Sequence, residues 1–409
     1  MLTKTEEQVL ALVDREEVTT FMQELIRARS DYPPGDTREI AQLCVDMMSE
    51  AGIDTKIITP PDTVVSPLND GVPNEMKATV IGTLQGESES PSLLLNAHMD
   101  TVAAGDLSRW KHDPFAGVIE DGYIYGRGAG DDKGSVCAQV MAATYIARAA
   151  VPLKGTLFVN PIADEEAHAW RGARWMVDER ILVPDMAIVG EQTDNEVAVG
   201  ERAIIFCDVT IKGKAAHGAM PWAGNNAILR MNEFINLLRS ELEPALQENG
   251  HPYLPPTTLS PNTIKGGTRT PIIAEECTLT IDCRLSPPVT HDQVVKGMED
   301  LLKKLSDRGP AFEWHIETPN VDRGFVTDVE EPVIQALLSA YKDVTGREPV
   351  PTGYNQHSDG SRFARLNIPI AIFGPSDPRV GHAANERVSI DQLVEATKVY
   401  ILAILRLLS

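Results

Sequence analysis

The chain has 409 residues, 43% of them hydrophobic, and a formal net charge of −22. That length allows one to three domains and a large apolar core. The acidic excess excludes a nucleic-acid binder, which needs a basic face, and argues against binding to anionic membrane surfaces.

From Glu17 to Gly52 the pattern is helical, broken by the turn Asp31-Tyr32-Pro33-Pro34-Gly35-Asp36. Short strands and turns follow to about Gly126, and a helix is expected after Gly134 with Val136, Val140, Met141, Tyr145 and Ile146 on its buried face. Strand and helix signals then alternate as far as Glu191, the signature of an α/β, doubly wound mixed sheet. The character changes from about residue 201. Ile204–Ile211, Cys277–Arg284 and Phe312–Ile316 read as strands, Asn226–Leu242 and His291–Leu305 as helices, and the Pro-rich stretch His251–Pro261 as a loop. Strand–helix–strand units of this size predict a ferredoxin-like α+β domain over residues 201–321, inserted into a catalytic domain of residues 1–200 and 322–409. The α/β pattern resumes with a helix over Pro332–Thr345 and ends in an amphipathic helix over Val394–Leu408.

Five cysteines form no CxxC pair and lie mostly in apolar stretches, which fits buried thiols in a reducing compartment. The charged start Met1–Glu7 lacks a signal-peptide pattern, and no apolar run approaches the ~20 residues that span a bilayer. A soluble, cytoplasmic protein is expected.

Six residues point to a metal site: His98, Asp131, Glu165, Glu166, Glu191 and His382. Most follow short apolar runs that read as buried parallel strands, and an open α/β sheet binds ligands beyond the carboxyl ends of its strands. Imidazoles and carboxylates gathered there suit zinc, manganese or cobalt. In His98-Met99-Asp100 the two outer side chains share a face, so Asp100 can hold the far ring nitrogen of His98. The glycine-rich loop Gly126–Gly134 lacks the spacing of a nucleotide cradle and instead delivers Asp131, whose two oxygens can bridge two cations. Of the adjacent acids Glu165 and Glu166, one can bind metal while the other works on water.

With these motifs the chain resembles the M20 family of dinuclear metallohydrolases, which includes acetylornithine deacetylases, succinyl-diaminopimelate desuccinylases, aminoacylases and carboxypeptidases of the G2 type. The matching segments are Ala97–Val102, Tyr125–Gly134, Asp164–Glu166, Val189–Glu191, Lys212–His217 with Pro221, Gly224, Asn226 and Ala227, Asp282–Arg284, and Gly381-His382. The resemblance implies two divalent metal ions bridged by Asp131, with His98 and Glu191 completing one site and Glu166 and His382 the other. It implies Glu165 as general base and acid, Asp100 as the residue that orients His98, and His217 as an oxyanion partner contributed across a homodimer. Arg284 and Asn226 become candidates for holding a small substrate, one carrying a carboxylate. The implied reaction is hydrolysis of an amide-like C–N bond, foremost deacylation of an N-acyl amino acid. A di- or carboxypeptidase, or hydrolysis of a bond such as that to an aryl amine, is the alternative on the same scaffold. A non-catalytic binding protein is disfavoured because the full ligand set and Glu165 are present.

Three segments depart from the family pattern. Gln192 stands where many relatives have proline, Ala167–Arg171 is bulky where a glycine-containing turn is usual, and Tyr354–Gly360 carries Asn, Gln and His where relatives tend to have glycines. Such segments are either neutral variation on surface loops or the walls of a pocket with extra hydrogen-bond donors and aromatic surface, and the second reading favours a substrate other than simple N-acetylornithine.

Overall fold

The computed structural model describes residues 2–248 and 250–409. The chain forms two compact units. One comprises the residues up to Gly200 with Val326–Tyr354 and Ser358–Ser409, the other Glu201–Phe325 with Asn355–His357.

The first unit is built on a mixed nine-stranded sheet. Its centre is four parallel strands in the order Ile370–Ile372, Met186–Val189, Ser92–His98 and Thr156–Ile162. Thr79–Leu84 and then Asp54–Ile58 extend one side antiparallel, and Ala198–Glu201 pairs antiparallel on the other. Ser92–His98 is buried at every residue, as a strand covered on both faces must be. Helices Lys133–Arg148 and Ile390–Leu408 pack on that strand, and Gly360–Phe363 packs on Ile370–Ile372. Among the described residues no helix is long and apolar enough to cross a membrane.

Lys133–Arg148 starts two residues ahead of the expected position and is buried all round from Lys133 to Ile146. Val136, Val140, Met141, Tyr145 and Ile146 are buried as expected, but burial is not confined to their face because the helix is enclosed by the sheet and by helices Arg15–Arg27, Arg38–Glu50 and Ile390–Leu408. Lys133 ends on the carbonyls of Leu25 and Ala28, at 2.9 and 2.7 Å, and burial lowers its pKa to about 7.

The second unit has a four-stranded antiparallel sheet in the order Thr258–Gly266, Glu276–Leu285, Ala203–Lys212, Glu313–Asp322. Helices Ala227–Leu237 and His291–Arg308 lie between strands in the chain, the β-α-β-β-α-β order of a ferredoxin-like sandwich. Met231, Phe234, Val294, Met298 and Leu302 meet Cys207, Val209, Leu279 and Ile281 in one apolar layer. Three expectations are corrected here. The end of the supposed loop His251–Pro261 belongs to the strand Thr258–Gly266, an edge strand bulged between Pro261 and Thr263, where a proline is tolerated. The strand after Phe312 runs to Asp322, which pairs with Ile204, so the return to the first unit falls after Phe325 rather than at 322. The helix from Ala227 changes to a wider turn over Leu238–Leu242.

Candidate metal centre

The four central strands run parallel, so their carboxyl ends share one edge. His98 closes Ser92–His98, Glu165 and Glu166 follow Thr156–Ile162, Glu191 follows Met186–Val189, and the chain beyond Ile370–Ile372 leads to His382. Asp131 arrives from the loop between Tyr123–Tyr125 and the helix at Lys133, and the Asp131–Asp132 peptide is cis.

Ligand atoms of His98, Asp131 and Glu166 lie within 4.8 Å of one another. Asp131 turns Oδ1 to His98 Nε2 at 3.0 Å and Oδ2 to His382 Nε2 at 3.2 Å. His382 Nε2 also meets Glu166 Oε1 at 3.0 Å. One carboxylate therefore faces two imidazoles with different oxygens. Glu191 rises at the same edge, but its Oε2 accepts the Tyr354 hydroxyl at 2.7 Å. Among the described residues it is not part of the tight three-residue group.

The expected carboxylate-to-ring contact of Asp100 is not made. Its Oδ1 lies 3.9 Å from His98 Nδ1, and the ring nitrogen instead donates to the Asp100 carbonyl at 2.8 Å. The strand exit points the main chain, not the side chain, at the ring. The Asp100 carboxylate accepts the backbone N–H groups of Glu165 and Glu166, both at 3.2 Å, and so grips the acidic turn.

Burial raises the carboxyls of Glu165 and Glu191 well above the ordinary range, and neighbouring acids push the same way. Glu166 is raised by the same cause. Asp132 is pushed up to about 8 by burial, with Asp131 adding to it. For Asp131 burial is outweighed by the hydrogen bonds from His382 and His98, which hold it low. His98 is likewise raised against its burial by Asp131 and the surrounding acids, and the hydrogen bonds to Asp131 and Glu166 carry His382 to about 10. Carboxyls crowded beside two imidazoles can be balanced by protons, as their raised pKa values express, or by bound cations. The mixed nitrogen and oxygen donor set fits divalent metal.

The chain matches the model of Peptidase family M20/M25/M40 over residues 94–406. It is 30% identical to an N-formyl-4-amino-5-aminomethyl-2-methylpyrimidine deformylase of Bacillus subtilis, covering 94% of this chain and 93% of that one. It is 28% identical to a succinyl-diaminopimelate desuccinylase of Pseudomonas syringae, covering 79% and 84%. The solved structure of aminopeptidase PepT from Bacillus cereus superposes with a TM-score of 0.75 at 19% identity, covering 96% and 98%, and shares the fold. The chain belongs to the M20 family. It is a metal-dependent hydrolase of amide-like C–N bonds.

The remaining M20 candidates lie in the second unit. His217 is exposed, its Nδ1 accepting the Ala219 N–H at 3.1 Å. Asn226 caps the helix at Ala227, its Oδ1 accepting from Ile228 and Leu229. The Arg284 fork pairs with Asp282 on the same face of the strand, at 2.9 and 3.2 Å.

Three contacts at the centre have no counterpart in the residue reading. Gln192 donates to Asp131 Oδ2 at 2.7 Å. Tyr354 reaches Glu191. Glu386 accepts the N–H groups of Gly130 and Asp131 at 2.8 and 2.9 Å and pairs with Arg127; burial pushes its pKa to about 7. Gln192 and Tyr354 belong to segments that break the family pattern, which was their signal. Glu386 had none, since only the fold shows that this acid is buried.

Proposed function

We propose that this M20 hydrolase removes a small acyl group, formyl in the first instance, from an amine nitrogen. The observation that carries this reading is Asp131, set between two imidazoles with one oxygen towards each. His98, Asp131 and Glu191 would hold one divalent cation, and Asp131, Glu166 and His382 a second, of zinc, manganese or cobalt. When bound, the pair supplies a Lewis acid for the scissile carbonyl and a water of lowered pKa. Glu165 takes a proton as the water oxygen bonds to the carbonyl carbon. It returns that proton to the nitrogen as the C–N bond breaks, leaving a carboxylic acid and an amine. Burial and the neighbouring acids favour the protonated form of Glu165, the direction that helps a group which must hold a proton between the two steps.

The match over 94% of the chain to a deformylase of an N-formylated aminomethylpyrimidine supports a small formamide on an amine that carries a heteroaromatic ring, and the desuccinylase supports a carboxylate-bearing acyl chain. Arg284 would exchange Asp282 for such a carboxylate, and the Asn226 amide nitrogen would assist. His217 would donate to the developing oxyanion from a second copy of the chain. Exposed Trp222, Met220 and Leu229 on the same unit support self-association into a homodimer. The five cysteines are free and buried, which supports a reducing, cytoplasmic setting.

The test is a panel of N-formyl, N-acetyl and N-succinyl amines, dipeptides and aryl amines, assayed with each of the three metals. Turnover of formamides ahead of dipeptides is expected. Dipeptide hydrolysis with inert formamides would overturn the substrate reading.

A further inference from the structure

Asp164 immediately precedes the two acids of the centre and is fully buried. It adopts a left-handed backbone conformation, φ 73°, and its carbonyl accepts the N–H of Ala169 at 2.6 Å. The segment Asp164–Ala169 is thus a closed turn. Its front is held by Asp100 through the N–H groups of Glu165 and Glu166.

Its back is held by two buried cations. Arg171 donates from its backbone N–H to Asp164 Oδ2 at 2.9 Å and from Nε to Oδ1 at 3.2 Å. Lys77 Nζ reaches the same Oδ1 at 3.1 Å and also bonds the Pro34 carbonyl at 2.8 Å. The far side of the Arg171 fork pairs with both oxygens of Asp70, at 3.2 and 2.6 Å, and with the Val72 carbonyl at 3.1 Å. Tyr32 donates to Asp70 Oδ2 at 3.1 Å. Lys77 and Arg171 are buried, two cations matched against Asp164 and Asp70. Only a planar, multidentate fork can grip Asp164 on one side and Asp70 on the other at once.

We propose that Arg171 is a positioning residue that sets where Glu165 and Glu166 stand, by locking the Asp164 turn to the segment around Asp70. The inference rests on the reading of Glu165 given above. Arg171 closes the bulky segment Ala167–Arg171 and is the residue that ties the turn to Asp70.

The test compares Arg171→Lys, which keeps the charge and loses the fork, with Arg171→Met, which loses both. Arg171→Lys is the decisive variant, because Arg171→Met leaves charges unbalanced and can fail to fold. At saturating metal, Arg171→Lys should lower kcat by about tenfold to a hundredfold while KM moves less than about threefold, since a misplaced base weakens the reacting arrangement and not the substrate's hold. In the metal-free protein, amide hydrogen exchange over residues 163–171 should quicken by about tenfold in Arg171→Lys, as expected for a loosened local unit. Where it folds, Arg171→Met should show both effects more strongly. Wild-type kcat together with wild-type exchange in Arg171→Lys overturns the proposal. So does a fall in melting temperature with kcat unchanged, which marks a purely structural role. If the wild-type protein turns over none of the acylated amines, the functional reading has failed, and the exchange measurement alone decides the positioning role.

Discussion

In the sheet of the first unit, Ser92–His98 is buried at every position; in the sheet of the second, Glu276–Leu285 alternates buried and half-exposed residues. Parallel strands wrapped by helices have no solvent face, so polar side chains are left to the strand ends. Because those strands point the same way, the ends collect at one edge, and that edge holds His98, Glu165, Glu166 and Glu191. The antiparallel sheet sends successive ends in opposite directions. It keeps one apolar layer and one wetter face, where Thr210 bonds Thr278 at 2.9 Å and Thr263 bonds Thr280 at 2.7 Å. The first arrangement concentrates reactive groups; the second spreads polar groups over a surface.

The sharpest break in that contrast comes at Asp131. Asp131→Ala should abolish both metal positions and reduce turnover to background, with metal content read by elemental analysis; two ions held at wild-type affinity would refute the bridging assignment. Next in size, Glu165→Gln should keep its metal and lose about 10²–10⁴-fold in kcat. Loss of metal from that variant would exchange the roles of Glu165 and Glu166.

Denaturation curves test the two sheets themselves. Leu94→Ala and Leu95→Ala, neighbours on opposite faces of the first sheet, should each cost about 2–5 kcal/mol, because both leave a cavity. In the second sheet Leu279→Ala should cost as much, whereas Thr278→Ala and Thr280→Ala should each cost only about 0.5 kcal/mol. Equal costs at Leu279 and Thr278 would show that the second sheet is covered on both faces.

A more graded effect is in pH. The His382 pKa is raised to about 10 in the metal-free protein, so the stability from its bonds to Asp131 and Glu166 is complete below about 6.5 and is lost as pH rises through about 10. A cation must displace that proton. Metal affinity should therefore rise by at least about tenfold per pH unit below 10, more where the raised His98 and carboxyl ligands also give up protons, with proton release seen by calorimetry in buffers of different ionisation enthalpy. An affinity flat between pH 6.5 and 8.5 would remove His382 from the site.

Much of the fold was legible because the two sheets have different periods. Unbroken apolar runs such as Leu93–Leu95 marked strands of the first unit, and the alternation Leu279, Thr280, Ile281, Asp282 marked one of the second. The strand Thr258–Gly266 escaped notice because Pro261 reads as a loop residue and only an edge position with a bulge admits it. In the candidate site, the acids and imidazoles after the apolar runs were visible as residue types. How each is held was not. Asp100 turns its carbonyl to His98 and its carboxylate to the next turn, and neither direction follows from a two-residue spacing. Arg171 and Asp70 are 101 positions apart, and Glu386 is 255 from Asp131; such partners meet only in the folded chain.

Glu386 has a mechanical consequence. One carboxylate holds the backbone of Asp131, and it sits four residues beyond His382, whose carbonyl lies 3.4 Å from the same Arg127 that pairs with Glu386. The loop bearing Asp131 and the loop bearing His382 thus hang from a common peg. When thermal motion shifts one, the other travels with it, so the spacing between the two side chains varies less than the position of either.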